Sequence, residues 1–286
     1  MNFEKKPLPA GLYFVSTPIG AARDITLRAL DILASADVIA AEDTRTARHL
    51  MDLHGIALGD RPLVAYHDHN GAERRPRLLR DLAEGKSVAY VSEAGTPLVA
   101  DPGFALGRAA TAAAMPVRAA PGPSAVLAAL AVSGLPTDRF FFAGFAPTSA
   151  GRRLTFLQEM AKVPGTVIFY ESPKRVQKLL GALVQTFGGE RQAVVCRELT
   201  KRFEETRRGT LAELEAGFAQ RSVKGEVVVL VDRARSDEVK EEDMRQMLED
   251  SLAHLSVKDA AAHVAQVLGL PRRQVYQAAL EIGKSK

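Results

Sequence analysis

A single cysteine, Cys196, among 286 residues leaves no partner for an internal disulfide and no cluster for a structural zinc. No histidine stands at a catalytic or ligating spacing from it, so Cys196 reads as a small strand residue. Long apolar runs are missing too: Val227 to Val231 is far too short to cross a bilayer, and Met1 to Pro9 has no apolar centre of a signal peptide. A cytoplasmic location without membrane contact is the expectation. The chain contains neither a Gly-x-Gly-x-x-Gly fingerprint nor a Gly-x-x-x-x-Gly-Lys-Ser/Thr loop, which removes the usual signatures of dinucleotide binding and nucleotide hydrolysis. His67 and His69 flank Asp68, but no further ligand follows at a suitable spacing, and no metal is expected.

Net charge is only +4, too small to establish a nucleic-acid partner, although the pI of about 9.2 leans that way. The basic residues are bunched: Arg45/Arg48, Arg74/Arg75/Arg77/Arg80, Arg152/Arg153, Lys174/Arg175/Lys178, Lys201/Arg202 with Arg207/Arg208, and Arg272/Arg273. Each bunch alone is a solvated face; only convergence on one surface makes a phosphate track.

The composition, 47% hydrophobic and 25% charged, is that of a folded globular protein, and the length calls for more than one core. Short Val/Ile/Phe/Tyr runs alternate with segments of helical period, so the fold class is α/β. Strands are predicted at Leu12 to Val15, Val38 to Ala41, Leu63 to Tyr66, Val88 to Val91 and Val117 to Ala119. Helices at Leu27 to Ser35, Arg45 to Leu53, Glu73 to Ala83 and Phe104 to Ala114 connect them as crossovers, which makes this sheet parallel. A second series follows Pro121-Gly122-Pro123, with strands near Phe140 to Ala143, Thr166 to Tyr170, Ala193 to Arg197, Arg207 to Gly209 and Glu226 to Val231. Its helices are expected at Ser124 to Val132, Gly151 to Met160, Pro173 to Phe187 and Leu211 to Ala219. Arg233 to Glu242 reads as a charged linker before a strandless tail. In that tail Ser256 and Asp259 resemble a capping box, Ala260, Val264, Val267 and Leu268 form an apolar stripe, Gly269 is the stop and Pro271 opens the next helix. The outline is helix-turn-helix-like; a helical hairpin packed on a neighbour is the alternative. The domains are thus 1–120, 121–235 and 236–286.

Three loops at the carboxyl ends of predicted strands are dense in Gly, Pro and small polar residues: Ser16 to Gly20, Ser92 to Gly103 and Pro121 to Ala125. Open parallel sheets hold ligands at such ends, so the loops are expected to converge around a flat, nucleoside-like ligand.

From Leu12 to Asp232 the chain carries, in order, LYFVSTPIG, ARDITLRALDIL, AEDTR, SEAGTPLVADPG, PGPSA, YESPKR and RELTK. This series resembles the RsmI branch of the tetrapyrrole methylase superfamily, the ribosomal RNA 2'-O-methyltransferases, and the tail resembles that branch's helical domain. The resemblance implies a two-domain tetrapyrrole-methylase-like fold, with a parallel sheet in the N-terminal domain, a mixed sheet in the second and a small C-terminal helical domain. It also implies S-adenosyl-L-methionine as methyl donor in the cleft, a homodimer, and a cytidine of 16S rRNA or the 30S ribosomal subunit as substrate. By that analogy Pro18, Ser92, Gly95, Asp101, Ser124 and Ala125 line the cofactor site, completed by Tyr170, Glu171 and backbone near Glu198, Thr200 and Val228. Sister branches carry Gly-x-Gly-Pro-Gly after the first strand; Ser16 to Gly20 here departs from it, which weakens a tetrapyrrole substrate.

Displacement at a sulfonium carbon needs a positioned hydroxyl and an acceptor for its proton. Glu171, Glu198, Asp43, Lys174 and Lys201 are the candidates, with Glu171, Glu198 and Lys201 foremost; a structural ion pair is the other account of Glu198 and Lys201. Arg45, Lys174, Arg175 and Lys201 are expected at the rim, Arg45, Lys174 and Arg175 holding RNA phosphates. The competing functions are a tetrapyrrole or other small-molecule methyltransferase and a noncatalytic RNA-binding assembly protein.

Overall fold

The computed structural model describes residues 3–234, 236–268 and 270–284. Its first sheet holds β1 (Gly11–Val15), β2 (Val38–Ala41), β3 (Leu63–Ala65), β4 (Ser87–Val91) and β5 (Val117–Ala120), all parallel in the order β3-β2-β4-β1-β5. Four of these strands are apolar along most of their length because helices cover both faces. α1 (Leu27–Ser35) and α2 (Thr44–Leu53) pack on one face through Leu30, Leu33 and Met51, and α3 (Gly71–Ala83) and α4 (Phe104–Ala112) on the other through Leu78, Leu82 and Leu106. Thr26 and Asp43 accept backbone N–H bonds at the starts of α1 and α2, which fixes where each helix begins.

α5 (Ala125–Ser133) leads to the second sheet, formed by β6 (Phe140–Phe145), β7 (Thr166–Glu171), β8 (Gln192–Arg197), β9 (Glu205–Thr210) and β10 (Val227–Val231). The order is β6-β7-β10-β8-β9; β6 and β7 are parallel and every other pair is antiparallel, so the sheet is mixed. α6 (Ala150–Met160), α7 (Val176–Phe187) and α8 (Leu211–Ala219) cover one face. The opposite face carries Ile168, Val194, Cys196, Val228 and Leu230, and these meet Val126, Ala129 and Leu130 of α5 and Ile19 of the first lobe. Cys196 is buried in that layer, and burial pushes its thiol up. One apolar cluster thus joins the two lobes directly behind the loops of interest.

β9 is longer than the sequence pattern predicts because Glu205 anchors its start: Arg197, Arg207 and Arg221 all donate to its carboxylate, at 2.6 to 3.2 Å. Arg221 first, then Arg207 and Arg197, hold that carboxyl down to about 2 against the opposing effect of burial. Glu205→Gln is therefore expected to destabilise the protein by about 1 kcal/mol at neutral pH, discounted for the exposure of its partners. Because the folded carboxyl titrates below the unfolded one, this contribution is present above pH 4.5 and fades as pH falls toward about 2. Denaturant melts at neutral pH and pH 3 check the sign: the difference between wild type and variant shrinks in acid.

The tail forms α9 (Ser236–Leu252), α10 (Val257–Leu268) and α11 (Arg272–Lys284) around its own core of Met244, Leu248, Val264, Val275 and Ala279. The charged linker expected over Arg233 to Glu242 is replaced from Ser236 onward by α9, since the segment holds no Gly or Pro to prevent a helix. Ser256 caps α10, accepting from the Asp259 amide at 3.2 Å and donating to its carboxylate at 2.6 Å. Val267 is not in the apolar stripe: it is 54% exposed, and Ala261 and Ala265 take that face because α9 and α11 close over the i, i+4 row. Gly269 lies outside the described residues. Pro271 stands one position before α11 rather than inside it, and its carbonyl accepts from Gln274 and Val275.

Candidate active site

The strand order places β4, β1 and β5 side by side, so the loops that follow them emerge together at the carboxyl edge of the first sheet. Backbone hydrogen bonds knit the first two: Thr17 donates to Gly95 at 2.9 Å and Gly95 to Thr17 at 3.0 Å. Side chains join the third, since Ser16 donates to Thr96 at 3.2 Å and Thr96 to the Pro123 carbonyl at 2.9 Å. The expected convergence of the three loops is therefore met in the fold. Gly95 has φ of +82°, a conformation open to glycine, and a Cβ on Gly122 would stand 2.9 Å from that of Ser16. Both positions keep the three loops in close backbone approach to one another.

The second lobe closes the opposite side. The Ala21 amide donates to Thr200 at 3.1 Å, and a Cβ on Gly20 would meet Thr200 and Lys201 at 2.6 Å. Left-handed backbone outside glycine occurs, among the described residues, at Leu98, Ala100, Ala114, Glu198 and Thr200. Four of those five lie in the loops after β4 and β8 that flank the cleft, and strain concentrated there is kept where a ligand or a lobe contact requires it. Tyr170, on β7, lies in the interlobe apolar layer against Phe142, with ring centroids 4.7 Å apart. Burial first, opposed by the Val126 amide and aided by the charge of Asp101, pushes its hydroxyl up to about 12. Lobe two thus meets both the start of α5 and the loop after β4.

The family of Tetrapyrrole (Corrin/Porphyrin) Methylases matches residues 11–215. The chain belongs to the tetrapyrrole methylases. Among relatives of this family, the Ribosomal RNA small subunit methyltransferase I of Mesorhizobium japonicum is 47% identical over 97% of this chain and 94% of that protein. The Pseudomonas aeruginosa protein of that name is 43% identical over 94% of this chain and 96% of its own length. The tail matches the RsmI C-terminal HTH domain at residues 238–283. Two solved structures share the fold: the methyltransferase CobJ (TM-score 0.60, 23% identity, 79% of this chain and 95% of that one) and diphthine synthase (TM-score 0.60, 17% identity, 80% and 93%). As a tetrapyrrole methylase of the RsmI group the chain is a methyltransferase, with S-adenosyl-L-methionine as methyl donor.

Within this methylase the foremost catalytic candidates are not equivalent. Glu171 is buried, its side chain 1% exposed; Arg175 pairs with it at 3.2 Å and the Ser172 amide donates to it at 2.7 Å. Burial raises its carboxyl even so, against the Ser172 amide and Arg175. Arg175 also donates to the Ala146 carbonyl, so the cation expected at the rim is turned inward to a structural pair. Lys201 lies 3.0 Å from Glu198 and 3.1 Å from Glu226, and Glu198 also accepts from the Glu226 amide at 3.0 Å. Burial works to raise Glu198, but the Glu226 amide and Lys201 outweigh it and hold the carboxyl down. Burial likewise works to lower Lys201, and Glu198 and Glu226 overcome it, keeping the ammonium charged. This is the ion-pair alternative, placed where it clamps the loop touching Gly20. Arg45 is 90% exposed beside Asp43, which accepts from two amides at the start of α2 and is held at about 2, by Arg45 first. Lys174 is exposed.

Thr96 and Glu42 were not picked out as site residues from the sequence, and Thr200 was expected to contribute backbone rather than its hydroxyl. Thr96 and Thr200 tie loops together through hydroxyls within SEAGTP and RELTK, and Glu42 accepts from the Glu93 amide at 3.1 Å. Among the described residues no three His, Cys, Asp or Glu side chains group as metal ligands, and no helix is long and apolar enough to cross a membrane.

Proposed function

We propose that the chain methylates the ribose 2'-hydroxyl of a cytidine in small-subunit ribosomal RNA, working as a homodimer in the cytoplasm on 16S rRNA or the 30S subunit. The observation that carries the reading is the three-loop convergence at the interlobe cleft, in a chain 47% identical over 97% of its length to a ribosomal RNA small subunit methyltransferase I. The residues fit the donor: Gly95 and Gly122 allow close backbone approach, Ser124 stands at the start of α5 without a side-chain capping bond, and the buried Thr17 hydroxyl has no hydrogen-bond partner among the described residues. Pro18, Ser92, Gly95, Asp101, Ser124, Ala125, Tyr170 and Val228 would hold it. When bound, S-adenosyl-L-methionine supplies an electrophilic methyl on a sulfonium. The protein's own contribution is to orient the ribose oxygen behind that carbon and to exclude water through the closed lobe contact.

Arg45 and Lys174 reach solvent and can neutralise flanking phosphates, whereas Arg175 and Lys201 are engaged internally. Support for pairing of two chains comes from β6, an edge strand whose Phe140, Phe141 and Phe145 are 44%, 44% and 55% exposed. Incubation with methyl-labelled donor, separately with naked 16S rRNA and with 30S particles lacking the modification, tests the reading. Label enters RNA if it holds; label in neither RNA points to a small-molecule methyltransferase or a noncatalytic assembly protein. In the same assay Arg45→Ala with Lys174→Ala is expected to flatten the salt dependence of RNA binding by about 0.7 in log-log slope for each phosphate no longer neutralised. Donor affinity stays unchanged, and an unaltered slope removes both residues from the RNA track.

A further inference from the structure

Of the basic bunch at Lys201, Arg202, Arg207 and Arg208, three members are engaged inside the protein. Lys201 pairs with Glu198 and Glu226, Arg207 with Glu205 at 2.6 Å, and Arg208 donates to the Ser133 carbonyl at 3.0 Å. Arg202 is exposed and has no ion-pair partner among the described residues. Its guanidinium lies instead over the ring of Phe203, 5.4 Å from the centroid. Phe203 is itself 63% exposed. A lone phenylalanine on a surface needs no explanation; this one is held out by a loop that is fixed from several sides.

That loop joins β8 to β9. The Lys201 amide donates to the Glu198 carbonyl at 3.0 Å, the Glu204 amide to the Lys201 carbonyl at 3.1 Å and the Thr200 amide to the Glu204 carboxylate at 2.7 Å. Leu199 is buried in the apolar layer between the lobes, and the Thr200 hydroxyl accepts from the amide of Ala21 in the first lobe at 3.1 Å. Ala21 directly follows the Ser16 to Gly20 loop, one of the three that converge at the cleft. Phe203 comes three residues after Thr200, so even a fully extended chain would keep the two within about 11 Å. An aromatic ring bearing an unpaired cation is thus presented beside the cleft, on a support that has little freedom left to lose when a ligand binds.

We propose that Phe203, together with Arg202, is the stacking platform for an unpaired base next to the nucleotide that is methylated. Delivering a 2'-hydroxyl into a cleft between two lobes requires a locally opened strand, and opened bases are taken up by aromatic rings and guanidinium planes. The base takes the ring face that Arg202 leaves free, while the guanidinium keeps its own face and its charge neutralises an adjoining phosphate. The inference rests on the RNA methylation proposed above and adds to it a residue that grips RNA without touching donor or reacting oxygen.

The test uses full-length wild type, Phe203→Ala, Phe203→Leu, Phe203→Tyr and Arg202→Ala with labelled donor and 30S particles lacking the modification. Phe203→Ala and Phe203→Leu are each expected to raise KM for the particle about tenfold, with kcat and the donor affinity measured by calorimetry changed by less than about threefold. Phe203→Tyr, which keeps the π face, is expected to stay within about threefold of wild type. The salt dependence of RNA binding is expected to be unaltered in Phe203→Ala and flatter by about 0.7 in log-log slope in Arg202→Ala. A wild-type KM in Phe203→Ala, a leucine that serves as well as tyrosine, or a defect confined to donor affinity overturns the proposal. So does loss of the dimer by Phe203→Ala in sedimentation, which would make the ring a contact between chains. If wild type labels no RNA, the RNA reading fails and takes this inference with it; if wild type labels RNA and Phe203→Ala matches it, this inference alone fails.

Discussion

Gly20→Val is expected to lower methyl transfer by at least about 100-fold while leaving the fold in place. An added Cβ would stand 2.6 Å from the Lys201 stem and the Thr200 hydroxyl and 3.0 Å from the Leu199 carbonyl, and the last of these is backbone that cannot rotate away. The two lobes must separate by the order of an ångström, which costs the Ala21 to Thr200 hydrogen bond and shifts one wall of the cleft against the other. Misplacement of that size at a reacting centre lowers rate by about 100-fold, and the two larger γ-carbons of valine add to it. Gly151→Val, at a glycine with nothing within 4 Å of the added atom, is the matched control and should keep full activity. Initial rates on RNA with circular dichroism as the fold check decide the matter; an active Gly20→Val enzyme would show that lobe closure is not what positions the substrates.

The second large effect is on stability. Arg175→Ala removes the cation that pairs with Glu171 and leaves a carboxyl 1% exposed at the end of β7. Breaking a buried pair from one side costs about 3–5 kcal/mol when the remaining group stays charged. Glu171 can escape part of that cost by protonating, because burial already raises its carboxyl in the wild type and the loss of Arg175 raises it further. The folded variant then binds a proton that the unfolded chain has released, so its stability is greatest below pH 4.5 and declines as pH rises through the elevated folded value. Chemical denaturation across pH should show wild type and variant close together in acid and furthest apart at neutral pH. The opposite trend would mean that Glu171 is hydrated and that its pairing is incidental. Arg175 is thus better understood as the residue that keeps β7, and with it Tyr170, in register than as a phosphate ligand.

Much of the architecture was legible in the sequence because its signals are local. Leu27–Ser35 and Leu211–Ala219 match their predicted limits, each opened by a threonine that caps the helix, and four strands of the first sheet read as largely apolar runs because both faces are covered. Limits set by tertiary contact were not legible. α7 begins at Val176 rather than Pro173 because the Ser172 carbonyl accepts from Arg175 and Val176 in a turn, and β9 begins early because three arginines gather on Glu205. The same holds for the site. The loops announced themselves through Gly and Pro, while the state of each charge did not, since Arg175 and Lys201 have the same identity whether solvated or turned inward. Asp101 stood among the donor-binding residues by resemblance; burial first and then Glu42 raise its carboxyl, and Glu42 is far away in the chain and adjacent only once β2 and β4 pair.

The central claim is that the cleft between the lobes delivers methyl to a sugar oxygen of ribosomal RNA. Alkaline digestion of RNA labelled by the enzyme measures it most directly, since a methylated 2'-oxygen can no longer attack the adjoining phosphate. Label is predicted in a single alkali-resistant dinucleotide beginning with cytidine, and lost with Gly20→Val. Label released as mononucleotides, or none in RNA at all, contradicts the account.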